Sequence, residues 1–284
     1  MTIVYLDRNV FDHICTLNCG VTKADVGKIQ GAIDTGAITI PASYIVIEET
    51  VPIIRLSEEI YEQHIQSVLN LIDKDRIIKP HTQLIKEDCE SYAFRKPQTP
   101  RMTRTPDNFR DVLDLSINRG DLNSLMEEIH DFYSGLASKH QAFFDDVIDE
   151  MTQRGIRGFK SFQDAWDALS PIIVENVVNR LPRIPKRLCR KRGLKGMLNI
   201  KSIRIGTICF GWFLYSHSLK TDGSPKKVEP SEAADFFHAV CASAANIFVT
   251  QEKKDKYGKL PFILSQVPVS GFTVMSLKEF LDIL

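Results

Sequence analysis

The sequence predicts an α/β fold whose central parallel sheet is built from the two ends of the chain, with a large helical insertion between them. Apolar strands alternate with helices within residues 1–55 and again within residues 228–284, a rhythm typical of α/β proteins. Residues 56–227 instead show helical periodicity with almost no convincing strand. We therefore expect one domain, 1–284, with an α/β core formed by both ends and a mainly helical insertion.

The first core segment alternates between apolar strands and helices. A buried strand over 3–6 precedes Asp7 and a helix over 10–15. Thr22 and Asp25 form a weak capping box for a helix over 22–34. A strand over 37–40 and an apolar helix over 44–51 complete the segment.

The insertion is predicted to be mainly helical. The expected ranges of its helices are 57–73, 83–95, 108–118, 122–152, 162–181 and 198–219. Pro97, Pro100 and Pro106 bracket a polar linker, and Pro182 and Pro185 are expected to break the chain just before a cluster of basic residues.

The strand–helix rhythm returns in the last segment. An alanine-rich helix over 230–245 precedes a strand over 246–249, a polar break and a further strand over 272–274. Ser276 and Glu279 form a capping box for a final helix over 277–284.

Composition excludes several classes of protein. Hydrophobic residues make up 43% of the chain and charged residues 25%, as in ordinary globular proteins. No apolar run approaches the length of about 18 residues that a membrane span needs, and the N-terminus lacks the features of a signal peptide. The six cysteines are scattered without a CxxC pair, which favours neither a zinc ribbon nor a disulfide framework. We expect a cytoplasmic protein with no membrane partner.

The charges are unevenly distributed along the chain. The 36 basic and 36 acidic residues give a net charge of zero, yet residues 176–221 contain eleven Lys and Arg and no Asp or Glu. The remaining residues are acidic on balance. Such a basic segment is typical of a surface that contacts nucleic-acid phosphates, and its densest part contributes four candidate substrate-binding residues. These are Arg187, Arg190, Lys191 and Arg192.

Several carboxylates are expected to meet at one edge of the sheet. Asp7 directly follows the first strand and Glu252 follows the strand over 246–249, while Glu48 or Glu49 and Asp235 lie on neighbouring helices. Such carboxylates would repel one another unless a divalent cation neutralised them. Oxygen ligands without cysteine favour Mg²⁺ or Mn²⁺, and such a site is suited to phosphodiester hydrolysis.

Four short segments resemble PIN domains, the Mg²⁺-dependent nuclease fold of many toxin ribonucleases and RNA-processing enzymes. YLDRNVF at 5–11 resembles the family's LDxN opening, and 41–49 resembles its proline-to-glutamate helix segment. ADFFHA at 234–239, followed by FVTQEK at 248–253, is similar to its second acidic block. FTVMSLKEFL at 272–281 resembles its last strand and helix. The resemblance spans roughly the first 55 and last 57 residues, about 40% of the chain.

The resemblance implies a three-layer fold and a Mg²⁺- or Mn²⁺-dependent nuclease, more specifically a ribonuclease. It implies that Asp7, one of Glu48 and Glu49, and Asp235 ligate the metal, with Glu252 in the fourth acidic position. It further implies that Asn9 helps to orient Asp7 or the substrate and that Thr250 supports the neighbouring loop. Both are therefore candidate substrate-binding residues. His238, one turn after Asp235, is interpreted as a structural histidine.

Other functions stay open at this point. Glutamate at position 252, where the family more often has aspartate, and the large insertion are compatible with a non-catalytic nucleic-acid- or protein-binding module on a PIN scaffold. A haloacid-dehalogenase-like phosphatase is disfavoured, because that family needs an aspartate two residues after the first one, where this chain has Asn9. A protein regulator and self-association are further partners that the sequence leaves open.

Overall fold

Both ends of the chain contribute strands to one parallel sheet, as the sequence predicts. The computed structural model describes residues 1–50, 58–105, 122–156, 158–219, 230–251 and 260–284. The chain is an α/β protein with mostly helical content. Its main sheet has the order β2-β1-β6-β7, and every neighbouring pair is parallel. The four strands are β1 (Thr2–Leu6), β2 (Ile38–Thr39), β6 (Ile247–Val249) and β7 (Thr273–Met275).

A second, smaller sheet was not predicted. It consists of β3 (Pro41–Ala42), β4 (Asp73–Ile78) and β5 (Met102–Arg104), with β3 parallel and β5 antiparallel to β4. The expectation that residues 56–227 hold almost no strand is therefore wrong for β4 and β5. The sequence of β4, DKDRII, is mostly charged and its first half is largely exposed, so it lacks the apolar alternation that marks a strand.

Helices surround the sheets and match most of the predicted positions. They are α1 (Arg8–Thr16), α2 (Lys23–Asp34), α3 (Tyr44–Thr50), α4 (Glu58–Leu71), α5 (His81–Phe94), α6 (Leu122–Gln153), α7 (Phe162–Asn179), α8 (Arg183–Arg192), α9 (Lys201–Leu219), α10 (Pro230–Ala242), α11 (Leu260–Gln266) and α12 (Leu277–Ile283). A 3-10 helix, Leu194–Asn199, joins α8 to α9. The helix predicted over 108–118 lies outside the described residues.

Helix α8 was not predicted, because a break in the chain was expected at Pro182 and Pro185. Pro182 is the residue before the helix and Pro185 lies in its first turn, where a missing N–H removes no helical hydrogen bond. Gly193 follows the last residue with a φ of 89°, a conformation that glycine adopts without strain. The prolines therefore begin this helix rather than exclude it.

One hydrophobic core joins the insertion to the two ends of the chain. Leu6 and Phe248 from the parallel sheet belong to the same buried cluster as Phe144 of α6 and Leu169 of α7. Each of these side chains is almost fully buried. Because the core is continuous, the helices of the insertion help to hold the sheet and the residues at its edge.

Two histidines are built into this core. The ring of His81, at the start of α5, stacks on Phe237 of α10 with a centroid distance of 3.7 Å, and His140 of α6 packs edge-on against the same phenylalanine at 4.9 Å. Burial, with a contribution from His140, lowers the pKa of His81 to about 3, and burial lowers the pKa of His140 to about 4. Both rings are therefore neutral in the folded protein at mildly acidic pH.

The substitution His81→Phe should flatten the pH dependence of stability in the acid range. Below about pH 6.5 the unfolded chain protonates this histidine while the folded protein does not, so the free energy of unfolding falls as pH falls. Phenylalanine keeps a ring against Phe237 and removes the titrating group, so the slope should decrease by up to about 1.4 kcal/mol per pH unit. Urea unfolding at about pH 7, 5.5 and 4.5 measures this slope; unchanged slopes in the variant would contradict the assignment.

Candidate metal centre

Three side chains from distant parts of the sequence converge beyond the carboxyl end of the parallel sheet. Asp7 directly follows β1, Glu49 lies on α3 and His238 lies on α10. One ligand atom from each lies within 4.8 Å of the other two. Within the described ranges no other group of three such side chains converges in this way.

The local fold presents the Asp7 carboxylate to this site. The Asp7 amide donates to the carbonyl of Val249 at 3.0 Å, and α1 begins at the next residue. Asp7 occupies the N-cap position, yet its side chain makes no capping hydrogen bond. The hydroxyl of Thr250, which is buried, donates instead to Asp7 Oδ2 at 2.8 Å. Thr250 thereby fixes the orientation of the carboxylate from the end of the neighbouring strand.

Asn9 supports the same edge from α1. Its Oδ1 accepts a hydrogen bond from the Gln251 amide at 3.1 Å, and Gln251 Oε1 accepts one from the Leu277 amide at 3.3 Å. These bonds connect the beginning of α1, the end of β6 and the beginning of α12. Asn9 therefore holds the backbone beside Thr250 in place.

A chain of hydrogen bonds runs inward from Glu49. His238 Nε2 lies 2.8 Å from Glu49 Oε2, and His238 Nδ1 lies 2.7 Å from the hydroxyl of Tyr5. The Tyr5 hydroxyl lies 3.3 Å from the Ser43 hydroxyl. When the imidazole is protonated, both of its N–H groups donate, one to Glu49 and one to Tyr5, and Tyr5 then donates to Ser43. Tyr5 thus directs Nε2 towards the two carboxylates.

The electrostatics of the site favour a charged histidine. Burial alone would lower the pKa of His238, but Glu49, Asp7 and Asp235 raise it to about 9. Burial opposes ionisation of Glu49 as well, but the charge and hydrogen bond of His238, with the charge of Arg8, hold the pKa of Glu49 below its usual value. Burial raises the pKa of Tyr5 well above its usual value, so its hydroxyl stays neutral.

The donor atoms fit a divalent cation. The side chains of Asp7 and Glu49 are 15% and 24% exposed, so their oxygens are accessible, whereas that of His238 is only 4% exposed. Carboxylate oxygens suit Mg²⁺ and Mn²⁺, and an imidazole nitrogen suits transition metals better than Mg²⁺. The hydrogen bond between His238 Nδ1 and Tyr5 is the kind of contact that orients a histidine ligand.

The remaining acidic candidates are placed differently. Asp235 is exposed, one turn before His238, and is not a member of the three-residue group. Its charge still acts on the site, because it helps to raise the pKa of His238. The side chain of Glu48 and the whole of Glu252 lie outside the part of the chain that the structure describes. Of the two adjacent glutamates, Glu49 is the one seen at the site.

His238, which the sequence indicates as a structural histidine, lies among the three converging side chains, and Tyr5 and Ser43, which the sequence does not single out, lie in the same chain of hydrogen bonds. A histidine one turn from an acidic residue on an alanine-rich helix is a recognisable signal, and it was interpreted as structural. Tyr5 carries the only hydroxyl within the apolar run Ile3 to Leu6, but its partner is distant in sequence. Tyr5 and His238 are 233 positions apart and meet in the fold, where β1 pairs with β6, the strand that follows α10.

The predicted substrate-binding cations all lie on α8, in two different situations. Arg190 donates to Asn179 Oδ1 at 2.6 Å and lies 3.6 Å from Glu175, and Arg192 donates to the Tyr92 carbonyl at 2.6 Å. Arg187 and Lys191 are exposed. Arg190 and Arg192 therefore contribute to packing between helices, whereas Arg187 and Lys191 face solvent.

No helix in the described ranges is both long enough and apolar enough to cross a membrane. No protein-family model, curated protein or solved structure matches the chain.

Proposed function

We propose that this protein is a PIN-like nuclease that depends on Mg²⁺ or Mn²⁺ and hydrolyses phosphodiester bonds, with RNA as its substrate. The observation that carries the proposal is the convergence of Asp7 and Glu49, which lie on separate elements and meet at the carboxyl edge of the parallel sheet. The fold supports it, because the resembling segments include residues of β1, β6 and β7, three of the four strands of this sheet, and the segment 41–49 includes α3, which carries Glu49.

The roles of the residues follow from their contacts. Asp7 and Glu49 would hold the cation, and His238 Nε2 is close enough to be a third ligand once it has lost its proton. A divalent cation at such a site supplies charge stabilisation for the phosphoryl oxygens and lowers the pKa of an attacking water. Thr250 keeps the Asp7 carboxylate oriented, and Tyr5 keeps the His238 ring oriented. Before a cation binds, the His238 imidazolium offsets the negative charge of the two carboxylates.

One observation favours a second candidate, a nucleic-acid-binding module without catalysis. The Glu49–His238 ion pair already compensates the Glu49 carboxylate without any cation. A protein of this kind would bind RNA equally well with and without divalent cations and would show no affinity for Mn²⁺. Calorimetric titration with Mn²⁺ therefore separates the two functions.

Removal of divalent cations should abolish cleavage. A fluorescently labelled single-stranded RNA incubated with the wild-type protein should be cut in the presence of Mn²⁺ or Mg²⁺ and remain intact after addition of EDTA. Readdition of Mn²⁺ should restore cleavage, because the carboxylates at the site are retained. Equal cleavage with and without EDTA would overturn the metal-dependent mechanism.

A further inference from the structure

Helix α8 carries a dense positive charge and no acidic residue of its own. Six of its ten residues are Lys or Arg, and none is acidic. Arg183, Arg187 and Lys191 follow one another at intervals of four residues, which places them in a row with a spacing of about 6 Å along the helix axis. All three side chains are exposed.

The opposite side of α8 attaches it to the core. Pro185 and Cys189 are buried, and Cys189 Sγ lies 3.5 Å from the Cys89 carbonyl of α5. Leu188 packs against a small hydrophobic cluster that includes both of these cysteines. Because the apolar side is already covered by protein, α8 has almost no apolar surface with which to enter a lipid bilayer, apart from Ile184.

Most of the cations on α8 form no ion pair with the residues that the structure describes. In the described part of the chain, Arg183, Lys186, Arg187 and Lys191 form no ion pair, whereas Arg190 lies near Glu175. The row of Arg183, Arg187 and Lys191 is therefore available to an external anion.

The arrangement of these cations opposes the stability of the helix. Like charges four residues apart, as in the pairs Arg183–Arg187 and Arg187–Lys191, repel each other. Arg183 also lies at the positive end of the helix dipole, where no acidic residue compensates it. Basic residues in the last turn are favourable, but those in the first half are not, so helix stability does not explain them.

We infer that the exposed face of α8 binds the sugar–phosphate backbone of RNA through its charge. The row of cations complements a row of phosphates, and α8 itself carries no aromatic side chain on which bases could stack. The binding is therefore independent of sequence. The choice of nucleic acid as the polyanion rests on the proposed function, while the surface itself is separate from the metal centre.

A charge-removal variant tests this inference. The triple substitution Arg183→Gln, Arg187→Gln and Lys191→Gln is compared with a control that removes three exposed lysines elsewhere, Lys23→Gln, Lys139→Gln and Lys278→Gln. Both proteins lose the same net charge. The probe is a labelled, cleavage-resistant 2′-O-methyl RNA 20-mer, and fluorescence anisotropy measures its affinity in EDTA at several salt concentrations.

The α8 variant should bind about tenfold more weakly or worse at low salt, and the slope of log affinity against log salt should become shallower by about 2. The control should retain the affinity of the wild type. Equal affinities of the two variants would overturn the inference, as would loss of binding to anionic lipid vesicles with unchanged RNA binding. Because EDTA prevents cleavage, the result is independent of nuclease activity: a binding surface without catalysis contradicts only the proposed function.

Discussion

The substitution Asp7→Asn should lower metal-dependent RNA cleavage at least about 10³-fold, equivalent to about 4 kcal/mol of transition-state stabilisation. Asparagine has nearly the same shape but lacks the negative charge that holds a divalent cation. The loss of one of the two carboxylates seen at the site should therefore weaken cation binding as well as catalysis. Initial cleavage rates with Mn²⁺ and calorimetric Mn²⁺ titration measure the two effects.

The same substitution should leave the fold intact. Asp7 makes no side-chain capping bond, and the asparagine carbonyl can still accept the hydrogen bond from Thr250. Removal of the charge relieves repulsion with Glu49 but also loses the attraction of the His238 imidazolium, whose Nε2 lies 3.9 Å from Asp7 Oδ1, so the melting temperature without metal should change little. Asp167→Asn, on an exposed position of α7, is the charge-matched control and should keep full activity. Wild-type cleavage by the Asp7 variant would refute the assigned role.

The largest expected effect on stability concerns a buried ion pair beside α5. Asp88 has a fully buried side chain, and Arg101 Nη1 donates to its Oδ2 at 2.6 Å. The Ser202 hydroxyl of α9 donates to the same oxygen. The substitution Arg101→Met would leave the carboxylate buried without its counter-charge, and such a change typically destabilises a protein by about 3–5 kcal/mol.

A double variant separates the loss of the pair from the burial of an unpaired charge. In Asp88→Leu with Arg101→Met, both partners become apolar, and the loss of stability should be clearly smaller than in the single variant. Urea unfolding followed by circular dichroism gives both free energies. A loss below about 1 kcal/mol in the single variant would show that Arg101 does not compensate Asp88 in the folded protein.

The central sheet was predictable because its strands carry strong local signals. Ile3 to Leu6 and Ile247 to Val249 are continuous apolar runs, which is the pattern of parallel strands buried on both faces. Their mutual pairing followed from the α/β rhythm at both ends of the chain. The position of Asp7 beyond the first strand followed in turn from the general rule for the carboxyl ends of such sheets.

The strand and the site residue that the sequence does not reveal depend on contacts between residues that are distant in sequence. Strand β4 is mostly charged and is held as a strand by its neighbours β3 and β5. The central place of His238 depends on Tyr5 and Glu49, which are far away in sequence. No local pattern reports such pairings, because periodicity reflects the burial of a face and not the identity of its partners.

The position of a bound Mn²⁺ ion tests the metal centre most directly. Crystals of the wild-type protein soaked in Mn²⁺ would be measured near the manganese absorption edge, where anomalous scattering locates the ion. We expect one strong anomalous peak within about 2.5 Å of carboxylate oxygens of both Asp7 and Glu49. A fully occupied manganese peak elsewhere, with the Glu49–His238 ion pair unchanged and no peak beside Asp7, would contradict a cation site at this edge of the sheet.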